Sequence, residues 1–213
     1  FEPPARDELP RRWAAVMDVL YLVFNEGYTA STGAHLMSVD LSEEAIRLTR
    51  QLRELHPDDP ELAGLLALML LTDAHRPART DARGDLVPLD EQDRSLWDAG
   101  RIGEGIGLIE HALPRGPVGP FQLQAAIAAV HAEAPTSADT DWPQIATLYA
   151  SLERMTPSPV VTLNRAVAVA RSTGPEAALA RVEPRADRLS GYFHFPGLRG
   201  WLLTRLDRKS EAR

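Results

Sequence analysis

The chain of 213 residues contains no cysteine, which excludes both a disulfide framework and a thiolate-ligated metal. Lysine is nearly missing too: of 23 basic side chains only Lys209 is a lysine. With so much alanine, that reads as the codon bias of a GC-rich genome and says nothing of mechanism. There is no long hydrophobic run, since the longest, residues 62–71, is too short to span a bilayer. No signal-peptide pattern opens the chain. A cytoplasmic protein that does not enter a membrane is the expectation. A net charge of −7 leaves no surface-wide footprint for a phosphate backbone, so direct DNA binding is not expected.

Apolar residues at 44% and charged residues at 25% are the values of an ordinary globular chain, long enough to bury a sizeable core. Most of the 17 prolines fall where helices would begin. Residues 10–25 carry Trp13, Val16, Met17, Leu20 and Phe24 at helical spacing, and Gly27 is expected to break that helix. Asp40 and Glu43 read as a capping box for the next one. Asp59 followed by Pro60 predicts a helix over about 61–73, apolar on nearly every side and therefore central. The turn at Arg83-Gly84 predicts a small irregular hairpin over 77–89. Asp90 is expected to cap a segment running through Trp97, with a helix over 102–113 beyond it. Gly119-Pro120, Asp141, Ser158-Pro159 and Gly174-Pro175 each open a further helix. A last pair begins near Tyr192.

Within residues 140–149, Trp142, Ile145, Ala146 and Tyr149 stand at the W-x-x-L-G-x-x-Y spacing that opens a tetratricopeptide helix pair. Glu176-Ala177 and Glu211-Ala212 lie 35 positions apart, close to the repeat period. The fold class expected is all-α: stacked antiparallel helix pairs, a tetratricopeptide-like α-solenoid, with one small hairpin. Residues 1–213 are read as one helical domain, irregular over 1–140 and tetratricopeptide-like over 141–213, with the last repeat truncated. Beginning at Phe1, the chain is expected to be part of a longer protein.

No catalytic constellation assembles from spacing. None of the six histidines makes H-E-x-x-H, and His131 and Glu133 would sit about 200° apart on a helix, so no metal site is expected. The glycines at 103, 105 and 107 lack the lysine and preceding strand of a phosphate loop, and fit a helix packed closely on another. Residues 181–213 hold eight basic side chains against four acidic ones, either a solvated helix end or a patch for an acidic partner. Polar residues recur inside apolar stretches: Asn25, Glu26, Tyr28, Arg76, Arg79, Asp93, Arg94, Gln124, His131, Asn164 and Arg165. Such groups must be paired if buried. They form either ties between helices, a groove for a polar peptide or small ligand, or an acid–base site around Glu26 or His131.

Several strings in order resemble one family. They are Phe24-Asn25-Glu26-Gly27-Tyr28, the run over 64–71, Asp90-Glu91-Gln92-Asp93-Arg94, the run over 122–132, Thr140-Asp141-Trp142, and the run over 157–168. Over about residues 1–209 the chain resembles the C-terminal extension of extracytoplasmic-function (ECF) RNA polymerase sigma factors that carry a tetratricopeptide-like domain. The resemblance implies a transcription-initiation protein whose promoter-recognition domains precede Phe1. It implies a regulatory, non-enzymatic module that works without a conventional membrane anti-sigma partner. The partners implied are the sigma factor's own N-terminal domains, RNA polymerase or a regulatory protein. No cofactor or catalytic residue comes with it. A small-molecule sensor or an enzyme using the same polar groups is the alternative, and a purely structural brace a third.

Overall fold

The computed structural model describes residues 8–29, 36–208 and 211. The described residues are helical with short connections, and their only β-type pairing is a single antiparallel bridge between Thr80 and Leu86. The chain divides into two compact units, residues 1–132 and 133–213.

In the first unit, α1 (Leu9–Thr29) packs on α2 (Leu36–Leu55), and both meet α3 (Pro60–Asp73), which pairs with α4 (Ala99–Ala112). The prediction for α3 holds. Asp59 Oδ1 accepts from the Glu61 and Leu62 amides at 2.9 and 3.0 Å, and every residue from 62 to 71 is buried. Helix α5 (Pro120–Glu133) crosses α3 so closely that a Cβ on Gly64 would lie 2.7 Å from the backbone nitrogen of Gln122. Gly105 makes the same kind of approach from α4, where a Cβ would meet Leu71 at 2.7 Å. Of the α4 glycines, Gly105 therefore serves helix packing, whereas a Cβ at Gly103 or Gly107 would meet nothing within 4 Å.

Local signals failed where distant contacts outweigh them. Gly27 does not end α1, which runs on to Thr29. A helical glycine costs only about 1 kcal/mol, and Tyr28 beyond it stacks on Phe24 at 5.8 Å while Arg79 donates to the Tyr28 carbonyl. Asp40 is not a cap: α2 already starts at Leu36, with no breaker between, and Glu43 instead binds Arg101. Asp93, not Asp90, closes the turn at residues 94–96, accepting from the Ser95 amide at 2.9 Å. Asp98 then caps α4, three residues before the expected start. The expected hairpin shrinks to the Thr80–Leu86 bridge, with Gly84 at φ 85° in its turn.

The second unit contains α6 (Trp142–Met155), α7 (Pro159–Ser172), α8 (Pro175–Val182), the single turn α9 (Ala186–Leu189) and α10 (His194–Arg205). Neighbours pack in order, α6 on α7, α7 on α8, and α10 on both α8 and α7. Asp141 and Ser158 cap α6 and α7 as read from sequence, and Gly174 at φ 121° turns the chain into α8. Leu163, Ala166, Ala178, Leu179, Val182, Leu202 and Leu203 form the core. Ile145 is fully buried, while Trp142, Ala146 and Tyr149 are half-buried. Pro184 stops α8 after two turns, shorter than a regular repeat helix. Ala212, half of the expected period marker, lies outside the described residues.

Candidate functional site

The apolar helix α3 ends on a charge, and the polar residues of the first unit gather there. Asp73 is only 5% exposed. Its Oδ1 accepts from Arg76 at 2.5 Å and its Oδ2 from Arg101 of α4. Arg76 also donates to Ser42 Oγ at 2.7 Å, and Arg101 to Glu43 at 2.5 Å. Over this hub lies Tyr28, its ring 4.0 Å from the Arg79 guanidinium and 5.3 Å from that of Arg76. Burial raises the Tyr28 hydroxyl above its ordinary pKa, against the pull of the two arginines. Four helices are thus tied at one carboxylate. Because two guanidiniums occupy it, Asp73 is a brace and poorly placed to act as a base.

One step along the chain, His75 is buried against Trp97, ring centroids 4.1 Å apart. Arg94 stacks over the same indole at 4.5 Å and donates to the His131 carbonyl at 2.7 Å. Burial lowers the pKa of both imidazoles to about 4, helped at His75 by the charges of His131 and Arg94 and at His131 by that of Arg94. Both rings are therefore neutral near pH 7. Among the described residues, His75 Nε2 and Trp97 Nε1 have no hydrogen-bond partner.

The other expected site residues lie elsewhere. Asn25 bonds the hydroxyl of Tyr21, and Glu26 is exposed on α1. Asp93 is a turn cap, and Gln124 donates to the Pro120 carbonyl of its own helix at 3.2 Å. In the second unit, Arg165 binds Glu153 at 2.5 Å, and Thr162 donates to the same carboxylate at 2.7 Å. Burial pushes the Glu153 pKa up, but these two bonds outweigh it and bring it below the usual range. Asn164 lines an open hollow of about 300 Å³ with Val160, Leu163 and Val167 of α7 and with Tyr192, His194 and Leu198. So Tyr28, Arg76, Arg79, Arg94 and His131 collect around the end of α3, and the rest do not join them.

The expected site set did not include Asp73, Arg101, Glu43, His75 or Glu61. The last is a cap supplied from 60 residues away, accepting from the Phe121 amide at 2.6 Å and from Gln122. One signal was available: an aspartate closing an all-apolar helix, with an arginine three residues on, must be neutralised by its neighbours. Among the described residues, no group of three or more His, Asp or Glu side chains is disposed to hold a metal, and no helix is long and apolar enough to cross a membrane.

What fold and site define is an all-α protein of paired helices, braced by internal ion pairs. Residues 12–113 match a family described as a family of unknown function (DUF6596). An uncharacterized protein of Rhizobium meliloti (strain 1021) is 54% identical over 213 residues, covering 100% of this chain and 50% of its own length. The chain therefore spans about half the length of the curated relative it matches. No solved structure matches.

Proposed function

We propose that the chain is the C-terminal regulatory region of an ECF-type RNA polymerase sigma factor, acting in transcription initiation in the cytoplasm by binding protein. The observation that carries this reading is architectural. Paired helices expose long side-by-side faces, whereas two of the more buried carboxylates are spent on arginines, Asp73 on Arg76 and Arg101, and Glu153 on Arg165. The ordered strings shared with the sigma-factor extensions support it, as does a relative of twice this length. Promoter recognition would belong to the remainder of the longer protein. The surface offered here would engage the sigma factor's own N-terminal domains, RNA polymerase or a regulatory protein, without catalysis and without direct contact to DNA.

In vitro transcription with the full-length protein, with and without residues 1–213, tests the reading. Removal is expected to change initiation at a target promoter. Equal output under every condition would refute a regulatory role.

A further inference from the structure

The hollow beside α7 belongs to a longer surface. At 100° per residue, Val160, Asn164, Val167 and Arg171 fall within an arc of about 60° on α7, and His194, Leu198, Trp201 and Arg205 fall within a similar arc on α10. The two stripes run in the same direction. Their first halves meet at the hollow, and further along Arg171 lies 6.0 Å and Arg205 4.9 Å from the Trp201 ring. The surface is thus apolar at one end and cationic at the other.

Three features point to an occupant. Apolar surface stands open here: Val160 on the wall of the hollow is 43% exposed, and Phe193, next in sequence to the lining residues Tyr192 and His194, is 89% exposed. Among the described residues, none that lines the hollow is acidic and Arg205 makes no ion pair. Residues 133–213 carry 11 basic against 9 acidic side chains, whereas residues 1–132 carry 12 against 21, so the acidic chain has one basic portion. Such a surface is complementary to a segment that is itself apolar at one point and acidic at the next.

We propose that the α7–α10 face binds an extended peptide segment of a protein partner, seating one aliphatic or aromatic side chain in the hollow and one carboxylate on Arg205. Leu198 and Arg205 are seven residues apart on α10, about 10 Å at 1.5 Å per residue. A polyproline-II chain, with three residues per turn and a rise of about 3.1 Å each, covers that distance in about three residues and returns to the same face. The motif is therefore an apolar residue followed three positions later by aspartate or glutamate. Asn164 supplies a donor and an acceptor for the peptide backbone between the two anchors. The C-terminal ends of both helices already favour the two guanidiniums, so the affinity is modest. This names the class of partner for the interaction role proposed above and rests on that role.

The test uses the full-length protein and fluorescein-labelled dodecapeptides, each with one leucine and with aspartate, asparagine or lysine three residues after it. Polarisation is expected to rank them aspartate, asparagine, lysine, with about a tenfold loss at the first step. Arg205→Gln, at an exposed position, is expected to abolish the preference for aspartate over asparagine. Val160→Asp is expected to abolish the requirement for leucine. The proposal is overturned if no peptide binds more tightly than about 1 mM, if aspartate and lysine peptides bind alike, or if neither variant changes binding. It is overturned equally if oligo(dT) displaces the peptide at matching concentration, which would make the face a nucleic-acid surface. A dimer in sedimentation that dissociates in Phe193→Ser would assign the face to a second copy and likewise overturn it. If Arg205→Gln loses the peptide but transcribes normally, the peptide site stands and the regulatory role falls.

Discussion

Asp73 sits almost wholly out of solvent between two arginines that are themselves largely covered. Replacing it with asparagine keeps the shape and removes the charge that both need. Loss of one partner of a buried pair costs about 3 kcal/mol or more, so Asp73→Asn is expected to lower the urea midpoint markedly, while Asp81→Asn in the exposed turn leaves it within error. A neutral result at Asp73 would show that the hub is not a brace. The two histidines give a pH signature. Their folded pKa values of about 4 lie below the unfolded value of about 6.5, so between those limits the unfolded chain binds more protons. Their stabilisation is fully present above about pH 6.5 and lost as the pH falls through 4. His75→Gln is expected to flatten this acid limb in urea titrations at pH 7 and 4.5; an unchanged slope would remove His75 as its source.

Helices α3 and α4 offer an internal comparison. A Cβ at Gly107 meets nothing within 4 Å, so Gly107→Ala is expected to stabilise by up to about 1 kcal/mol through helix propensity. At Gly64 the same change drives a methyl into the backbone of Gln122, and overpacking of about 1–3 kcal/mol outweighs the propensity gain. Thermal unfolding of both variants should therefore move in opposite directions. The same contrast explains what could be read from the chain. Asp59-Pro60, Asp141 and Ser158-Pro159 mark helix starts through bonds made within three residues, and Gly174-Pro175 through the glycine's own positive φ, so their chemistry is visible locally. Gly27 and Asp40 misled because the deciding contacts come from afar: Arg79 holds the end of α1 from 51 positions away, and Arg101 takes Glu43 across 58. Asp90 misled for a local reason, since Asp93 three residues on makes the capping bond to Ser95. The scatter of the expected site has the same cause. Arg76 and Arg79 could be recognised as arginines needing partners, but not which carboxylate or ring would receive them.

For the whole molecule, charge rather than shape sets a simple expectation. With −7 overall, and the acidic excess concentrated before residue 133, a duplex backbone would be repelled over most of the surface. The isolated chain is expected not to retard a random-sequence duplex at 0.15 M salt. Retardation that weakens steeply with added salt would show a phosphate-binding face and count against a purely protein-directed role.

One bond reaches beyond stability. Glu61 on α3 caps the first turn of α5, and any side chain at Gly119 would strike that carboxylate, where a Cβ falls 2.2 Å from Oε2. The two ends of the intervening stretch are pinned, but its middle, the exposed turn around Gly84, touches neither pin. Lengthening a loop twofold adds only about 0.6 kcal/mol of closure entropy. Homologues should therefore vary in length around residue 84 and hold their spacing fixed from 116 to 122, and a reporter domain spliced at that turn should leave the helices undisturbed.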